Sequence, residues 1–489
     1  MKKFAILGTG SSAIATAMVF EQLIKEGLIQ NASIDVIDYG LLDKIKQNEI
    51  TQKFNKKNTE NTHVFDMPSI FQIKSDLADG LAGSSSFGGW SNIWGATIIP
   101  YSEWGLNHWG KLQAEIEFEY KFLIKKIPNL FNNTKTKISR KKSILMENQI
   151  PSSQNKIEIT NLAISQFSND KTTGCNQCGL CLEGCSSNHI WNASNQWKNI
   201  FEMNEFNYIN EHWVKHISEN ENKVKVQCLS VGREVTLEYD RIFIGLGAIQ
   251  TGALLLRSNL ATEPLIVQDS AMKIVPFYRR GFKKTGEYED RLALSEGYIL
   301  TNLDSLHFKT DFFCQIYSYS KSLDEQMCFS SWIWSKIPLL IRKSLGRYIG
   351  IGMVFFDESL SEKIMINKQE NNDIHVSKIS NKYHFKAKLI KRMQINKAFR
   401  THNLKPIHIM SKSVETGKGY HFGGSFPNLI NDTQKFPNNY SDKLGCVKGT
   451  SRSHLIDSSC LVRVTAAPIT WTTMANAARI TRSVLIEYT

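Results

Sequence analysis

Four cysteines, Cys175, Cys178, Cys181 and Cys185, crowd into eleven residues. Their spacing, C-x2-C-x2-C-x3-C, is that of thiolates wrapping an iron–sulfur cubane in bacterial ferredoxins. Ferredoxins follow the fourth cysteine with proline, whereas Ser186 stands here, so the segment must bend differently or recruit Cys446 or Cys460. A structural zinc and plain thiols or disulfides are the alternatives. Zinc sites usually pair two separated knuckles, and disulfides need an oxidising compartment.

A second chemical pattern is Gly8-Thr9-Gly10-Ser11-Ser12-Ala13, with Asp38 some way beyond it. Gly8 permits a tight turn and Gly10 lets a pyrophosphate approach the backbone at a helix N-terminus, where Ser11 also lies. Ala13 allows close helix–strand packing, and Asp38 can accept hydrogen bonds from a ribose. The bland alternative is a glycine turn without a ligand. A third pattern is Tyr420-His421-Phe422-Gly423-Gly424-Ser425. With an ordinary pKa of about 6.5, the imidazole of His421 can take a hydroxyl proton near neutrality. Its bland alternative is a satisfied structural histidine.

These residues need elements to hold them. Residues 3–8 form an apolar run ending in glycine, the pattern of a buried parallel strand. Ala13–Lys25 reads as a helix and Ser33–Asp38 as a second strand, together a unit of nucleotide-binding size. Residues 223–245 read as a β-meander closed by the strand Arg241–Ile244, then a glycine turn with Gly247 and Ala248. Met474–Tyr488 reads as the last helix. Between these lie Gly88-Gly89-Trp90-Ser91-Asn92, whose glycines let a backbone lie flat on a ring system, and Leu455-Ile456-Asp457-Ser458 near the tail.

Taken in order, these segments resemble the glucose–methanol–choline (GMC) family of FAD-dependent oxidoreductases, some of which carry a similar Cys-rich segment. The resemblance implies a mixed α/β fold, with a Rossmann-like FAD-binding domain and an interleaved antiparallel-sheet substrate domain. Residues 1–130, 223–261 and 416–489 would build the first, 262–415 the second, and 131–222 a Cys-rich insertion and linker. It implies FAD held by Gly8, Gly10, Ser11, Ala13 and Asp38, by Gly88, Gly89, Ser91 and Asn92, by Gly247 and Ala248, and by Asp457, Ser458, Pro468 and Ile469 in the tail. It implies His421 as catalytic base. One departure stands out: the family places a second His or Asn where Pro468 lies, so either another polar group, Asn476 or Thr470, serves or the chemistry is not simple alcohol oxidation.

Composition agrees with a globular enzyme. The chain has 489 residues, 42% of them hydrophobic, which excludes collagenous and disordered classes. The net charge of +13 is spread without a polybasic tract, so no nucleic-acid partner is expected. No apolar run reaches the roughly 18 residues of a membrane span. Met1-Lys2-Lys3 opens no cleavable signal, so a cytoplasmic protein is expected. Trp332–Tyr348 mixes aromatic, aliphatic and basic residues. It reads as a core-facing helix with a basic edge in preference to a peripheral membrane contact.

The expected activity is dehydrogenation of an alcohol carbon, of a sugar or polyol, by hydride transfer to flavin. Electrons would leave through one 4Fe-4S cluster to an electron-carrier protein. A redox-neutral flavoprotein and a non-catalytic flavin-fold subunit are the alternatives. The cysteine spacing predicts iron and acid-labile sulfide in anaerobically prepared protein, both lost on Cys178→Ser; protein with neither, and with freely alkylated thiols, would refute it.

Overall fold

The structure, a computed structural model, describes residues 1–40, 67–78, 80–127, 157–164, 181, 185, 188–279, 294–305, 308–320, 323–324, 327–328, 332–346, 348–380, 384–429 and 437–488.

Lys2–Leu7 is the central strand of a five-stranded parallel sheet. Ala32–Ile37 and then Phe206–Ile209 lie to one side of it, Arg241–Ile244 and then Ser453–Leu455 to the other. Parallel strands covered on both faces must be apolar throughout, and Ala5, Ile6, Leu7, Ile242, Phe243 and Ile244 are all fully buried. The covering helices are Ser11–Lys25 and the C-terminal Thr470–Tyr488, which touch along their alanine-rich faces and share a buried hydroxyl pair, Thr16 to Thr481 at 2.9 Å. Phe20 meets Phe4 and Phe243 edge-on at 5.2 and 5.5 Å.

The expected helix and strand starts shift by one to four residues. The meander begins earlier than its sequence suggests: His212–Glu219, Val224–Ser230 and Arg233–Tyr239 form a separate three-stranded antiparallel sheet. Arg241–Ile244 belongs instead to the parallel sheet, because its apolar face is needed beside Lys2–Leu7.

Two further sheets follow, the smaller of which shares the core of the parallel sheet through Leu265, Val267, Ile364 and Ile366. Met272–Arg279, Gly297–Ser305, Phe308–Ser318 and Ile349–Phe356 build the body of a large antiparallel sheet, covered on one face by the helix His384–Thr401. A smaller sheet joins Leu265–Asp269 to Phe422–Gly423 and to Lys363–Lys368. It thus carries the His421 segment from the large sheet toward the parallel one.

The Trp332–Tyr348 expectation needs correcting. The described segment forms two short helices, Trp332–Lys336 and Leu339–Gly346. Trp334 is buried, but Leu339, Leu340, Ile341 and Leu345 are exposed. One turn of burial at Trp334 satisfies the core, and the second helix lies outside it.

The C-terminal helix is also pinned to Gln113–Lys126 by a bidentate pair: Arg482 Nε and Nη2 reach Glu119 Oε1 and Oε2 at 2.6 and 3.1 Å, with Glu119 buried. Glu119→Ala leaves the guanidinium without its carboxylate and is expected to cost about 3 kcal/mol. Denaturant unfolding monitored by circular dichroism checks this; an unchanged midpoint would contradict it.

Candidate functional site

The carboxyl ends of the parallel strands open into a cleft of about 1060 Å³, counting its mouth. Ligand sites in open parallel sheets lie at this edge. Gly8 turns the first strand at φ +96°, and a Cβ there would stand 2.6 Å from the Gly245 carbonyl, so only glycine fits. Gly10 differs: its φ is −69° and a Cβ would meet nothing within 4 Å, since that side faces the cleft.

Three helix N-termini meet the cleft. Those of Ser11–Lys25 and Ala248–Arg257 begin at Gly10 and Gly247, neither with a side-chain cap. Ser11, Ala248 and Thr470, at the head of the last helix, are in its wall. Their unsatisfied amides and positive dipole ends suit an anion such as a pyrophosphate. Thr473 Oγ1, also in the wall, is buried without a hydrogen-bond partner.

Two carboxylates, half-buried Asp38 and buried Asp457, organise the turns. Asp38 accepts from the Thr9 hydroxyl and, at 2.8 Å, from the Tyr39 amide; burial pushes it up to about 6. The Thr9 hydroxyl also accepts from Gly88 N at 2.8 Å, and the Thr9 carbonyl accepts from Trp197 Nε1 at 2.8 Å. Asp457 accepts from Gly247 N at 2.8 Å, Thr251 Oγ1 at 2.5 Å and Ser459 N at 2.9 Å. Burial raises its pKa despite those bonds.

Of the expected cofactor residues, Gly8, Gly10, Ser11, Asp38, Gly89, Ser91, Gly247, Ala248, Asp457, Ser458 and Ile469 come together in the cleft wall. Ala13, Gly88, Asn92 and Pro468 stand behind it. Ala13 is buried between helix and sheet, and Gly88, at φ +84°, lies where a Cβ would collide with Ser194. Ser91 donates to Gly88 O at 2.6 Å and accepts from Ala193 N at 2.8 Å. Asn92 donates to Phe87 O and accepts from Ser194 Oγ, both at 2.7 Å. These side chains hold the glycine loop against the helix Ala193–Ile200. Asn476, offered above as a second polar anchor, is engaged elsewhere: it donates to Asn428 Oδ1 at 3.0 Å and accepts from Arg479 Nε at 2.9 Å. Thr470 does line the cleft.

His421 sits between two cleft-lining residues, Tyr420 and Phe422, which meet Trp90 at 5.0 and 6.3 Å. The imidazole lies against the large antiparallel sheet. There it stacks on Phe355 at 4.8 Å, and Nδ1 is buried without a hydrogen-bond partner. Desolvation holds its pKa down at about 4.

A slot that sequence reading missed adjoins the cleft and shares Asp38, Leu246 and Gln250 with it. Tyr39, Phe71, Trp213 and Val214 line it. Arg257 closes it, donating to Phe71 O at 2.8 Å with its guanidinium 5.2 Å from the Trp213 ring. These residues come from four distant segments, so no local motif announces them.

Cys175 and Cys178 lie outside the described residues. Cys181 is buried, and Cys185 Sγ accepts from His189 N at 3.3 Å. Among the described residues no group of three or more His, Cys, Asp or Glu could hold a metal ion. Cys446 and Cys460 sit in buried contacts of their own, with His454 Nδ1 at 3.2 Å and Asn476 Nδ2 at 3.2 Å.

No family profile matches the chain and no curated protein matches its sequence. Among solved structures it is similar to pyridoxine 4-oxidase from Mesorbium loti, with a TM-score of 0.60, 12% identity and 99% of each chain covered. At that identity the likeness shows the fold alone: a mixed α/β architecture with parallel and antiparallel sheets.

Because the Gly10 Cβ direction is open and its φ is ordinary, Gly10→Val should fold normally while filling the anion position. Purified Gly10→Val is expected to show native thermal unfolding and little bound flavin. Full flavin content would contradict an anion position at Gly10.

Proposed function

We propose that the protein is an FAD-dependent oxidoreductase that oxidises an alcohol carbon of a small molecule. The observation that carries this reading is the cleft at the strand ends, where three helix N-termini, open space at Gly10 and Gly247, and the aromatic slot beside Asp38 lie along one line of cavities. That sequence of features suits a dinucleotide. The amides at Gly10–Ser12 and Gly247–Ala248 would take the pyrophosphate, Asp38 the ribose, and the Trp213–Phe71 slot a planar base. Thr473 offers an unused hydroxyl to the flavin end. When bound, FAD supplies a hydride acceptor.

His421 supplies the base. At neutral pH its imidazole is unprotonated and can take the hydroxyl proton of an alcohol. Its surroundings bear on the substrate. Phe355, Phe313, Tyr298 and Ala466 pack as one apolar group on this side of the large sheet. A polyol would leave several hydroxyls without partners there, at a cost of about 1–3 kcal/mol each. A ring-bearing or aliphatic alcohol therefore fits better than the sugar or polyol first expected. The fold neighbour's name, an oxidase of pyridoxine, points the same way. Electron exit through an iron–sulfur cluster rests on cysteine spacing alone.

The pH dependence follows from the sign of the shift. An imidazole held at about 4 is already deprotonated across the neutral range, so lowering the pH removes the base only near that value. The same shift means the unfolded chain takes up a proton between about pH 6.5 and 4 that the folded chain refuses, so stability falls as pH drops through that window. Anaerobic flavin reduction by substrate should be flat between about pH 6 and 8 and slow by roughly 10²–10⁴-fold in His421→Ala with flavin retained. An unchanged rate in that variant would demote His421 to a structural role.

A further inference from the structure

The helix His384–Thr401 covers one face of the large sheet and turns its other side outward. Ala387, Ile390, Ala398 and Phe399 are buried against the sheet, and the buried Gln394 donates through Nε2 to Thr310 Oγ1 at 2.8 Å. On the outward side Phe385 is 83% exposed, Leu389 45% and Met393 38%. Residues four apart stand one above another along a helix, so these three make an apolar ridge about two turns long. Single exposed apolar side chains are ordinary, but three in register on one ridge need an occupant.

Charge says what that occupant is. At 3.6 residues per turn, Lys388 and Arg392 fall on one flank of the ridge and Lys386 and Lys397 on the other, all four exposed. Among the described residues no ion pair neutralises any of the four. From residue 374 to residue 414 the sequence contains no Asp or Glu. Lys391 alone turns inward, its Nζ 5.3 Å from the Phe356 ring, and the acids Glu362 and Asp269 act on it there. The field of the outer cations reaches the strands behind the helix. Burial, and after it the Lys388 and Arg392 charges, hold the Lys273 ammonium below its usual value. Burial, with Arg392 and Lys273, does the same to His408.

We propose that the outer side of His384–Thr401 docks on an anionic lipid bilayer, with Phe385, Leu389 and Met393 entering the headgroup–acyl boundary and Lys386, Lys388, Arg392 and Lys397 meeting lipid phosphates on both flanks. A bilayer supplies both needs at once, acyl chains for the ridge and a layer of phosphates for the cations beside it. A second copy of the chain fits less well. A two-fold contact through the ridge would set each row of cations against its counterpart, with no acid in the segment to neutralise them. Among the described residues no helix is long and apolar enough to cross a membrane, so the contact is a surface one.

The test is sedimentation of the full-length protein with vesicles of phosphatidylcholine alone and of phosphatidylcholine with phosphatidylglycerol. The protein should pellet with the anionic vesicles and not with the neutral ones, and release as salt is raised. Phe385→Ser should bind the anionic vesicles about tenfold more weakly, with native thermal unfolding because the ring is exposed. The double variant Lys388→Gln, Arg392→Gln should weaken binding by a similar factor. Failure of the wild-type protein to bind anionic vesicles would overturn the proposal. So would undiminished binding by Phe385→Ser, because a chain of net charge +13 can adsorb through charge alone. A lipid-free dimer that Phe385→Ser dissociates would overturn it too, since the ridge would then be a self-association surface.

Discussion

The hydroxyl of Thr9 is the point on which the site depends. It donates to Asp38 at the end of the second strand and accepts from Gly88 in the glycine loop, while the Thr9 carbonyl receives Trp197. One residue thereby fixes three chain segments around the first turn. The glycines on either side of it are legible as a motif because they leave space. Thr9 fills that space from behind, and without it the loop would have no registered distance from Gly10. Asp457 plays the matching part on the other side of the central strand, tying Gly247, Thr251 and Ser459. Asp457 is buried, so its hydrogen bonds work in a medium where leaving them unmade would be costly.

From these two anchors the cleft runs to Tyr420 and Phe422, and between them the His421 imidazole lies against Phe355 of the large antiparallel sheet. An imidazole in such surroundings stays neutral across the neutral pH range. Pro468 lies buried behind the cleft and Asn476 is locked into a bond with Arg479, so neither side chain stands beside His421 as a second polar group.

Much of the fold was legible because its signals are local. A continuous apolar run with glycine after it reads as a covered parallel strand, as Lys2–Leu7 is, whereas Arg241–Ile244 read as the close of the meander and turned out to be parallel too. Asp38 was legible as an acid ending a strand, and Asp457 only through the resemblance of the tail to the family. The fate of a side chain was harder to read. Ser91 and Asn92 looked like hydrogen-bonding groups for a ring, but helix Ala193–Ile200, a hundred residues away in sequence, takes up their polar atoms. The Trp213–Phe71–Arg257 slot was illegible for the same reason, since its walls meet only after the sheets assemble. Leu339–Gly346 misled in the opposite direction: an apolar stretch reads as core unless the core beneath it is already complete.

The most direct test is the absorption spectrum of the purified protein before and after anaerobic addition of alcohols, with ring-bearing and aliphatic alcohols set against polyols. A bound flavin that bleaches with a ring-bearing or aliphatic alcohol and not with polyols is the expected result. Protein without flavin, or flavin that no alcohol bleaches, would contradict flavin-dependent alcohol oxidation in this cleft.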